Sequence, residues 1–234
     1  DPRKDEVIIC EPTYGMYRVC CNINDVNVKN VPLNSNYDIH YDALSNAIDY
    51  NTKLIFLCSP NNPSANLLNS DFIIDLANRK NVMIVVDEAY IDFAQQSGLV
   101  NEAIKIPNLA VIRTFSKAWG MAAVRCGYSV ASQFVTELLL KVKAPYNINK
   151  LTSDFVSRAI SNKERYENFG DIIIKERKRI IDKLSKMKKV RKVLPSDANF
   201  ISFFVDEPKK VFKVLEENGI VIRDRSNQFN FSGG

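Results

Sequence analysis

The sequence predicts an α/β protein with a mainly parallel sheet covered by helices on both faces, followed by the start of a small α+β domain. Three observations lead to this fold class. Short β-branched and apolar runs alternate with segments of helical periodicity as far as Pro145. Several of these runs are apolar at every position, as is typical of parallel strands buried on both faces. After Pro145 the pattern changes to longer helices and then to a strand, helix, strand series.

The first part of the chain contains the strands of the predicted sheet. The candidate strands are residues 7–10, 26–31, 53–58, 82–86 and 109–113. Between the third and fourth, Ser70 opens a predicted helix that runs through Lys80, with Ile73 and Leu76 on its apolar face. Strand, helix, strand order predicts a parallel pair joined by a crossover helix. We therefore expect residues 1–145 to form one large domain.

The second part of the chain is predicted to connect this domain to a smaller one. Thr152 is expected to cap a short helix, and an amphipathic stretch covers residues 165–188. Residues 199–205 and 220–223 read as strands, with a helix over 208–218 between them. These patterns predict connecting helices over 146–195 and the start of a small carboxyl-terminal domain over 196–234.

Composition excludes several classes of protein and site. The chain has 234 residues, of which 46% are hydrophobic and 25% charged, as in soluble globular domains. Its longest apolar runs are far shorter than the roughly 20 residues that cross a bilayer, so we expect a cytoplasmic protein with no membrane partner. Five scattered cysteines without C-x-x-C spacing and a single histidine, His40, argue against a disulfide framework and a metal site.

The net charge of +5 raises the alternative of nucleic-acid binding. Residues 175–192 hold ten basic and two acidic residues at helical spacing. A solvated helix face explains this pattern better, because charge alone indicates neither a fold nor a site. The sequence also lacks an RNP-type aromatic motif and a helix-turn-helix signature, so no nucleic-acid partner is expected.

Polar motifs follow three of the predicted strands. They are Asn61-Asn62-Pro63, Asp87-Glu88-Ala89-Tyr90 and Ser116-Lys117. Each is weak alone, since such residues are common in turns and helix caps. In a parallel sheet all three would meet at the edge formed by the carboxyl ends of the strands, where ligands bind. Together and in this order they indicate a site.

These groups fit catalysis by pyridoxal 5'-phosphate (PLP). Lys117 is the candidate for the Schiff-base lysine, and Asp87 for the carboxylate that keeps the pyridine nitrogen protonated. Asn62 and Tyr90 can donate hydrogen bonds to the phenolate oxygen of the cofactor. The residues suited to the cofactor phosphate are Thr114, Ser116 and Arg125.

Longer motifs extend this interpretation to nearly the whole chain. They are Pro12-Thr13-Tyr14-Gly15-Met16-Tyr17, Ser59-Pro60-Asn61-Asn62-Pro63, Val86-Asp87-Glu88-Ala89-Tyr90, Arg113-Thr114-Phe115-Ser116-Lys117, Arg125-Cys126-Gly127-Tyr128, Lys143-Ala144-Pro145-Tyr146 and Val221-Ile222-Arg223-Asp224. In these motifs the sequence resembles the histidinol-phosphate aminotransferases. The resemblance implies a fold-type I PLP enzyme in which Tyr14 stacks on the cofactor ring and Arg223 helps to hold the substrate phosphate.

The resemblance also has departures. Trp119-Gly120-Met121-Ala122-Ala123 stands where family members usually carry Phe-Gly-Leu-Ala-Gly, a change that keeps the apolar character. The family's amino-terminal segment and a later strand with a substrate-binding arginine have no counterpart in the sequence. The resemblance therefore implies an inner fragment, which we expect to be inactive or nearly so when taken alone.

The implied reaction converts L-histidinol phosphate and 2-oxoglutarate into imidazole acetol phosphate and L-glutamate, in a homodimer. A related PLP-dependent decarboxylase or an aromatic aminotransferase is the alternative within the same chemistry, because Lys117, Asp87 and Arg125 would serve each of them. An alternative of another class is a non-catalytic protein. Retention of Lys117, Asp87, Asn62, Tyr90 and Arg125 argues against degeneration.

Overall fold

A six-stranded sheet lies at the centre of the molecule. The structure, a computed structural model, describes the backbone of residues 1–234 and every side chain except those of Arg165 and Glu167. The strands are β1 (Glu6–Glu11), β2 (Asn27–Pro32), β3 (Thr52–Cys58), β4 (Met83–Asp87), β5 (Leu109–Thr114) and β6 (Gly127–Ala131). Their order is β2-β1-β3-β4-β5-β6, and only the β5–β6 pair is antiparallel. The predicted mainly parallel sheet is confirmed.

Eight helices surround the strands. They are α1 (Met16–Ile23), α2 (Tyr41–Ala47), α3 (Ser70–Arg79), α4 (Val100–Ala103), α5 (Gln133–Val142), α6 (Lys150–Ile160), α7 (Lys163–Leu184) and α8 (Pro208–Glu217), with short 3-10 turns at Ile91–Phe93 and Ala122–Val124. No described helix combines the length and the apolar character needed to cross a membrane.

Helices pack on both faces of the central strands, as the continuous apolar runs predict. In β3, Ile55 and Leu57 belong to a large cluster that includes side chains of α2, α3 and α4. Phe56 and Cys58 point to the opposite face, where Tyr17 of α1 packs. Because successive strand residues face opposite sides, only strands apolar at every position suit a sheet covered in this way.

Side-chain caps fix the starts of four helices, and those of α3 and α6 bear on the predicted helix starts. The Asn69 side chain accepts the Phe72 N–H at 3.2 Å, so α3 begins at Ser70 as expected. For α6 the cap is Asn149, which accepts the Thr152 N–H at 2.9 Å. Thr152 therefore does not cap this helix. It lies buried in the first turn, where its hydroxyl donates to the Val124 carbonyl at 3.2 Å.

The last part of the chain forms a small two-stranded sheet. Strand β7 (Val190–Val193) pairs antiparallel with β8 (Phe203–Val205). Strand β7 thus lies inside residues 146–195, where only connecting helices were expected. The strand predicted over 199–205 is shorter than expected and spans only Phe203–Val205. The division into domains at residues 145 and 195 otherwise stays a prediction.

The predicted strand over 220–223 is wrong. The Ile220 N–H bonds back to the Leu215 carbonyl at 2.8 Å, and the Gly219 N–H bonds to the Glu216 carbonyl at 2.9 Å. Gly219 has a φ of +75°, which glycine adopts without steric cost. These contacts terminate α8 in a Schellman motif, so Ile220 closes the helix and does not begin a ladder.

Candidate active site

The carboxyl ends of β3, β4 and β5 open into one cavity of about 400 Å³. This edge is where a parallel sheet places its ligands. The cavity is lined by Tyr14, Cys58, Asn62, Asp87, Ala89, Tyr90, Ile112, Arg113, Thr114, Ser116, Lys117 and Arg125. All eight residues that the sequence predicts for the cofactor are among them. We refer to this space as the sheet-edge cavity.

Asp87 ends β4 and supplies a half-buried carboxylate to the sheet-edge cavity. Its Oδ2 accepts the Tyr17 hydroxyl at 2.7 Å, and its Oδ1 accepts the Ala89 N–H at 3.0 Å. Burial raises the pKa of Asp87, while these two hydrogen bonds and the charge of Lys117 act in the opposite direction. The carboxylate forms no ion pair with any described side chain.

Tyr17 is a site residue that sequence reasoning missed. It is buried in α1, and its ring stacks on Phe56 with centroids 4.9 Å apart. Burial raises its pKa well above the ordinary value, with further contributions from Cys58 and Asp87. Tyr14, three residues earlier, meets its ring edge to face at 5.6 Å. No local signal in the sequence could have identified Tyr17, because its contact with Asp87 joins residues 70 positions apart.

Tyr90 forms the wall of the cavity between Asn62 and Lys117. The Asn62 amide donates to the Tyr90 hydroxyl at 3.4 Å. The Lys117 Nζ lies 5.3 Å from the centroid of the Tyr90 ring, within the range of a cation–π contact. Burial raises the pKa of Tyr90. The structure thus brings together the amine and the two groups that the sequence assigns to hydrogen bonding.

Thr114, Ser116 and Arg125 line the side of the cavity next to the β5–β6 pair. The Ser116 N–H donates to the Thr114 Oγ1 at 3.0 Å, which orders the turn that presents Lys117. Arg125 has a φ of +52° and follows a 3-10 turn, and its guanidinium donates to the Ala122 carbonyl at 2.9 Å. Hydroxyls and an exposed guanidinium suit an anion such as phosphate.

A buried ion pair supports this side of the cavity. Glu88 is 2% exposed and binds Arg113, with the Arg113 Nε at 2.9 Å and Nη2 at 2.7 Å from Oε2. The Leu99 N–H donates to the other carboxylate oxygen. Burial raises the pKa of Glu88, and the contacts from Leu99 and Arg113 oppose that effect. Glu88 thus ties β4, β5 and the segment before α4 together.

Arg223 does not line the sheet-edge cavity. It is exposed and borders an adjoining cavity of about 350 Å³, which we call the small-sheet cavity. Asn62 is a wall of both spaces, and Phe200 and Arg225 line the second one. The structure therefore places Arg223 beside the predicted cofactor residues, across Asn62.

Among the described residues no group of three or more His, Cys, Asp or Glu side chains is arranged to hold a metal ion.

Comparisons with known proteins agree with this arrangement. A family model described as aminotransferase class I and II matches residues 2–233. The histidinol-phosphate aminotransferase of Cytophaga hutchinsonii is 44% identical over 225 residues, covering 96% of this chain and 65% of that protein. The chain thus spans about 65% of the length of the first curated relatives it matches.

Solved structures show the same fold. The histidinol-phosphate aminotransferase of Clostridium acetobutylicum superposes with a TM-score of 0.89 at 26% identity, covering 98% of this chain and 71% of that one. The enzyme of Sinorhizobium meliloti, solved in complex with pyridoxal-5'-phosphate, gives 0.85 at 21% identity, with coverage of 95% and 63%. From the sheet order, the residues gathered at its edge and the match over residues 2–233, we conclude that the chain belongs to the aminotransferase class I and II family.

Proposed function

We propose that the protein is a PLP-dependent aminotransferase that acts on L-histidinol phosphate and 2-oxoglutarate in histidine biosynthesis. One observation carries the proposal: Asp87 and Lys117 follow neighbouring strands and face the same cavity, with phosphate-suited side chains beside them. The names of the similar proteins support the choice of substrate. The cavity itself supports the choice of cofactor.

The residues of the sheet-edge cavity fit PLP chemically. Asp87 is a half-buried carboxylate with two hydrogen bonds and no ion-pair partner among the described side chains. A cationic ring nitrogen would supply the missing positive charge. Lys117 offers a primary amine, and Thr114, Ser116 and Arg125 offer donors to a phosphate. A cavity of this size also lies within the usual range for a small-molecule site.

Each side chain then has a separate task. Asp87 would hold the proton on the ring nitrogen, and Tyr17 and the Ala89 N–H would keep the carboxylate oriented. Asn62 and Tyr90 would donate to the phenolate oxygen, while Tyr14 would pack on the ring. When bound, PLP supplies a ring that accepts electrons from the α-carbon of the substrate. Lys117 would hold the cofactor covalently through its amine.

Lys117 is also the group that would move the proton. The Lys117 amine would take the α-proton of the substrate as a general base and give it back as a general acid. The aromatic ring of Tyr90 lies beside the Lys117 Nζ, within the range of a cation–π contact. The second substrate, a 2-oxo acid, would restore the starting state of the enzyme.

We further propose a cytoplasmic homodimer. Helix α5 carries large apolar side chains that face solvent, and Phe134, Leu138 and Val142 follow one another at four-residue spacing. Residues at this spacing form one stripe along a helix. An exposed apolar stripe of this kind is typical of an interface with another chain. A second copy of this chain is the partner that the family resemblance implies.

Borohydride trapping tests the proposal. Reduction makes a lysine-bound pyridoxyl group permanent, and peptide mapping should place it on Lys117. Lys117→Ala should lose the label and at least about a thousandfold in turnover, whereas Lys141→Ala, which removes an exposed lysine of α5, should keep both. A label on another lysine would exclude the assignment.

The products separate the proposed activity from its alternatives. An aminotransferase forms L-glutamate from 2-oxoglutarate in step with loss of L-histidinol phosphate. A decarboxylase of phosphorylated amino acids would release carbon dioxide instead, and an aromatic aminotransferase would prefer an unphosphorylated aromatic donor. Covalent labelling of Lys117 without glutamate formation would keep the cofactor and reject the reaction.

A further inference from the structure

Tyr90 lies between two separate segments of the chain. On one side it begins the 3-10 turn Ile91–Phe93, and its carbonyl accepts the Phe93 N–H at 3.0 Å. On the other side its ring meets the ring of Phe200 edge to face, with centroids 5.1 Å apart. Phe200 belongs to the stretch between β7 and β8. The place of Tyr90 therefore depends on how that stretch is held against the six-stranded sheet.

Arg177 of α7 joins these two segments. Its Nη1 donates to the Phe93 carbonyl at 3.1 Å and to the Ala198 carbonyl at 2.7 Å. Phe93 ends the turn that Tyr90 begins, and Ala198 precedes Phe200 by two residues. A single guanidinium nitrogen, which carries two N–H groups, thus connects the segments on both sides of Tyr90.

An apolar contact on the same face of α7 reinforces this bridge. Ile173 lies four residues before Arg177, and residues at that spacing share a helix face. Its side chain packs against a cluster that contains Tyr90, Phe93 and Ala198. Helix α7 therefore supports the Tyr90 wall of the sheet-edge cavity with one apolar side chain and one hydrogen-bonding side chain.

The Arg177 guanidinium binds these carbonyls and no described carboxylate. The residue is half-buried, and its described hydrogen bonds are those to Phe93 and Ala198. Burial is the main cause that lowers the pKa of Arg177, and the charge of Asp197 acts in the opposite direction. The Asp197 Oδ2 itself accepts the Leu67 N–H at 3.1 Å. Because a partly buried guanidinium is costly without hydrogen bonds, the two carbonyls are the contacts that keep Arg177 in place.

We propose that Arg177 is a positioning residue that holds Tyr90 beside Lys117 and Asn62. The effect on the cofactor rests on the proposed function, in which the Tyr90 hydroxyl donates to the phenolate oxygen. The position of Tyr90 in the cofactor-free protein does not rest on it. Without the two hydrogen bonds of Arg177, the segments on either side of Tyr90 are no longer tied together. The Tyr90 hydroxyl then loses its fixed place beside the Asn62 amide.

The first test measures the position of Tyr90 without a cofactor. In the aromatic NMR spectrum of the cofactor-free protein, the Tyr90 and Phe200 rings should show a nuclear Overhauser effect, because their centroids are 5.1 Å apart. Arg177→Met, which keeps an apolar stem and removes the donors, should lose most of that effect. Arg177→Lys should keep more of it, since it retains a charged donor. An unchanged effect in Arg177→Met would overturn the inference.

Arg179→Met is the matched control. Arg179 lies on the same helix, is exposed and pairs with Glu176, so its loss should leave the contact between the two rings unchanged. Thermal unfolding of each variant shows whether a loss reflects misfolding. If Arg177→Met does not fold, the comparison of Arg177→Lys with Arg179→Met decides the question in the same way.

The second test asks whether Arg177 acts on the cofactor through Tyr90. Arg177→Met should weaken PLP binding about threefold to tenfold, the range of one hydrogen bond, in a fluorescence titration. Tyr90→Phe removes the hydroxyl and should weaken binding to a similar extent. Arg177→Met added to Tyr90→Phe should then cause less than about a twofold further loss, because the group through which Arg177 acts is already absent.

Full additivity of the two losses would contradict positioning through Tyr90. If the unsubstituted protein binds no PLP, the proposed function fails, and the NMR comparison still decides the role of Arg177.

Discussion

Two hydrogen bonds and the charge of Lys117 favour the ionised form of Asp87, against the effect of burial. The Tyr17 hydroxyl and the Ala89 N–H satisfy one oxygen each. Burial still dominates, since the pKa of Asp87 is raised in spite of both contacts. A bound cation would therefore favour the ionised form of Asp87.

Tyr17→Phe tests this arrangement. Removal of the hydroxyl should raise the pKa of Asp87 further, because a donor to the ionised form is lost. Cofactor affinity should fall about threefold to tenfold at neutral pH, and its decline on acidification should begin at a higher pH. Fluorescence titration with PLP across a pH series measures both effects.

Tyr41→Phe is the matched control, because the Tyr41 hydroxyl donates to Asp75 at 2.6 Å, and neither residue lines the sheet-edge cavity. An unchanged pH dependence in Tyr17→Phe would show that its hydroxyl does not set the ionisation of Asp87.

Asp87→Asn should stabilise the cofactor-free protein while it weakens cofactor binding. A group whose pKa is raised on folding favours the fold when protonated, at low pH, and this contribution is lost as the pH rises through the raised pKa. At pH 7 the ionised carboxylate therefore opposes folding, and the neutral amide does not. The gain in Tm should disappear as the pH falls below the pKa of Asp87.

Thermal unfolding measures the difference in stability between Asp87→Asn and the unsubstituted protein. Each kcal/mol of added stability should raise the Tm by roughly 2–4 °C in a chain of this size. Asp171→Asn, which changes an exposed carboxylate of α7, should show no such pH-dependent gain. A lower Tm of Asp87→Asn at pH 7 would mean that the Tyr17 and Ala89 contacts outweigh burial.

Sequence reasoning found the site residues that follow strands, and missed those that depend on tertiary contacts. Asn62, Asp87 and Lys117 could be identified because the ends of parallel strands meet at one edge. Tyr17 reaches Asp87 across 70 residues of sequence, and no local pattern encodes such a contact.

At the scale of the elements, the segment between β4 and α4 depends on the close approach of Gly98 to the Glu88 carboxylate. Gly98 has a φ of +70°, and a Cβ placed on it would lie 2.4 Å from a Glu88 carboxylate oxygen. Arg113 also donates to the Ser97 carbonyl at 2.7 Å. The ion pair of Glu88 and Arg113 can therefore form only if residue 98 has no side chain, or if the segment moves away.

Gly98→Ala should destabilise the protein by about 2–4 kcal/mol, from the left-handed backbone and the displaced ion pair together. Gly120→Ala is the control, because its φ of +64° is similar and nothing lies within 4 Å of the added methyl group. It should cost only about 1 kcal/mol. Urea unfolding at equilibrium gives both values. Equal losses would indicate backbone strain alone and no contribution from the Glu88 contact.

Continuous apolar runs predicted the central parallel strands well because apolar side chains pack on both faces of those strands. The antiparallel edge strand β6 escaped prediction, since its exposed residues Gly127, Tyr128 and Ser129 give no continuous apolar run. The run at 220–223 has a strand-like composition, yet the Gly219 turn uses Ile220 to close α8. Local composition cannot distinguish a helix stop from a strand start when both use an apolar residue after glycine.

At the scale of the whole molecule, the stripe on α5 predicts self-association. Val142 is 81% exposed, so Val142→Lys should leave the fold of one chain intact and weaken the proposed dimer at least tenfold. Ile104→Lys, which changes an apolar residue that is 60% exposed outside α5, should not. Sedimentation velocity over a range of concentrations measures the dissociation constant. A monomeric unsubstituted protein would contradict the proposal.

The shared wall at Asn62 has a thermodynamic consequence. Asn62 lines both the sheet-edge cavity and the small-sheet cavity, so occupants of the two spaces would contact the same residue. If a ligand in the small-sheet cavity strengthens cofactor binding by some factor, the cofactor must strengthen binding of that ligand by the same factor, because the two routes to the doubly occupied state have equal free energy. Each ligand would then act as an effector of the other, and the supply of one would set the apparent affinity for its neighbour.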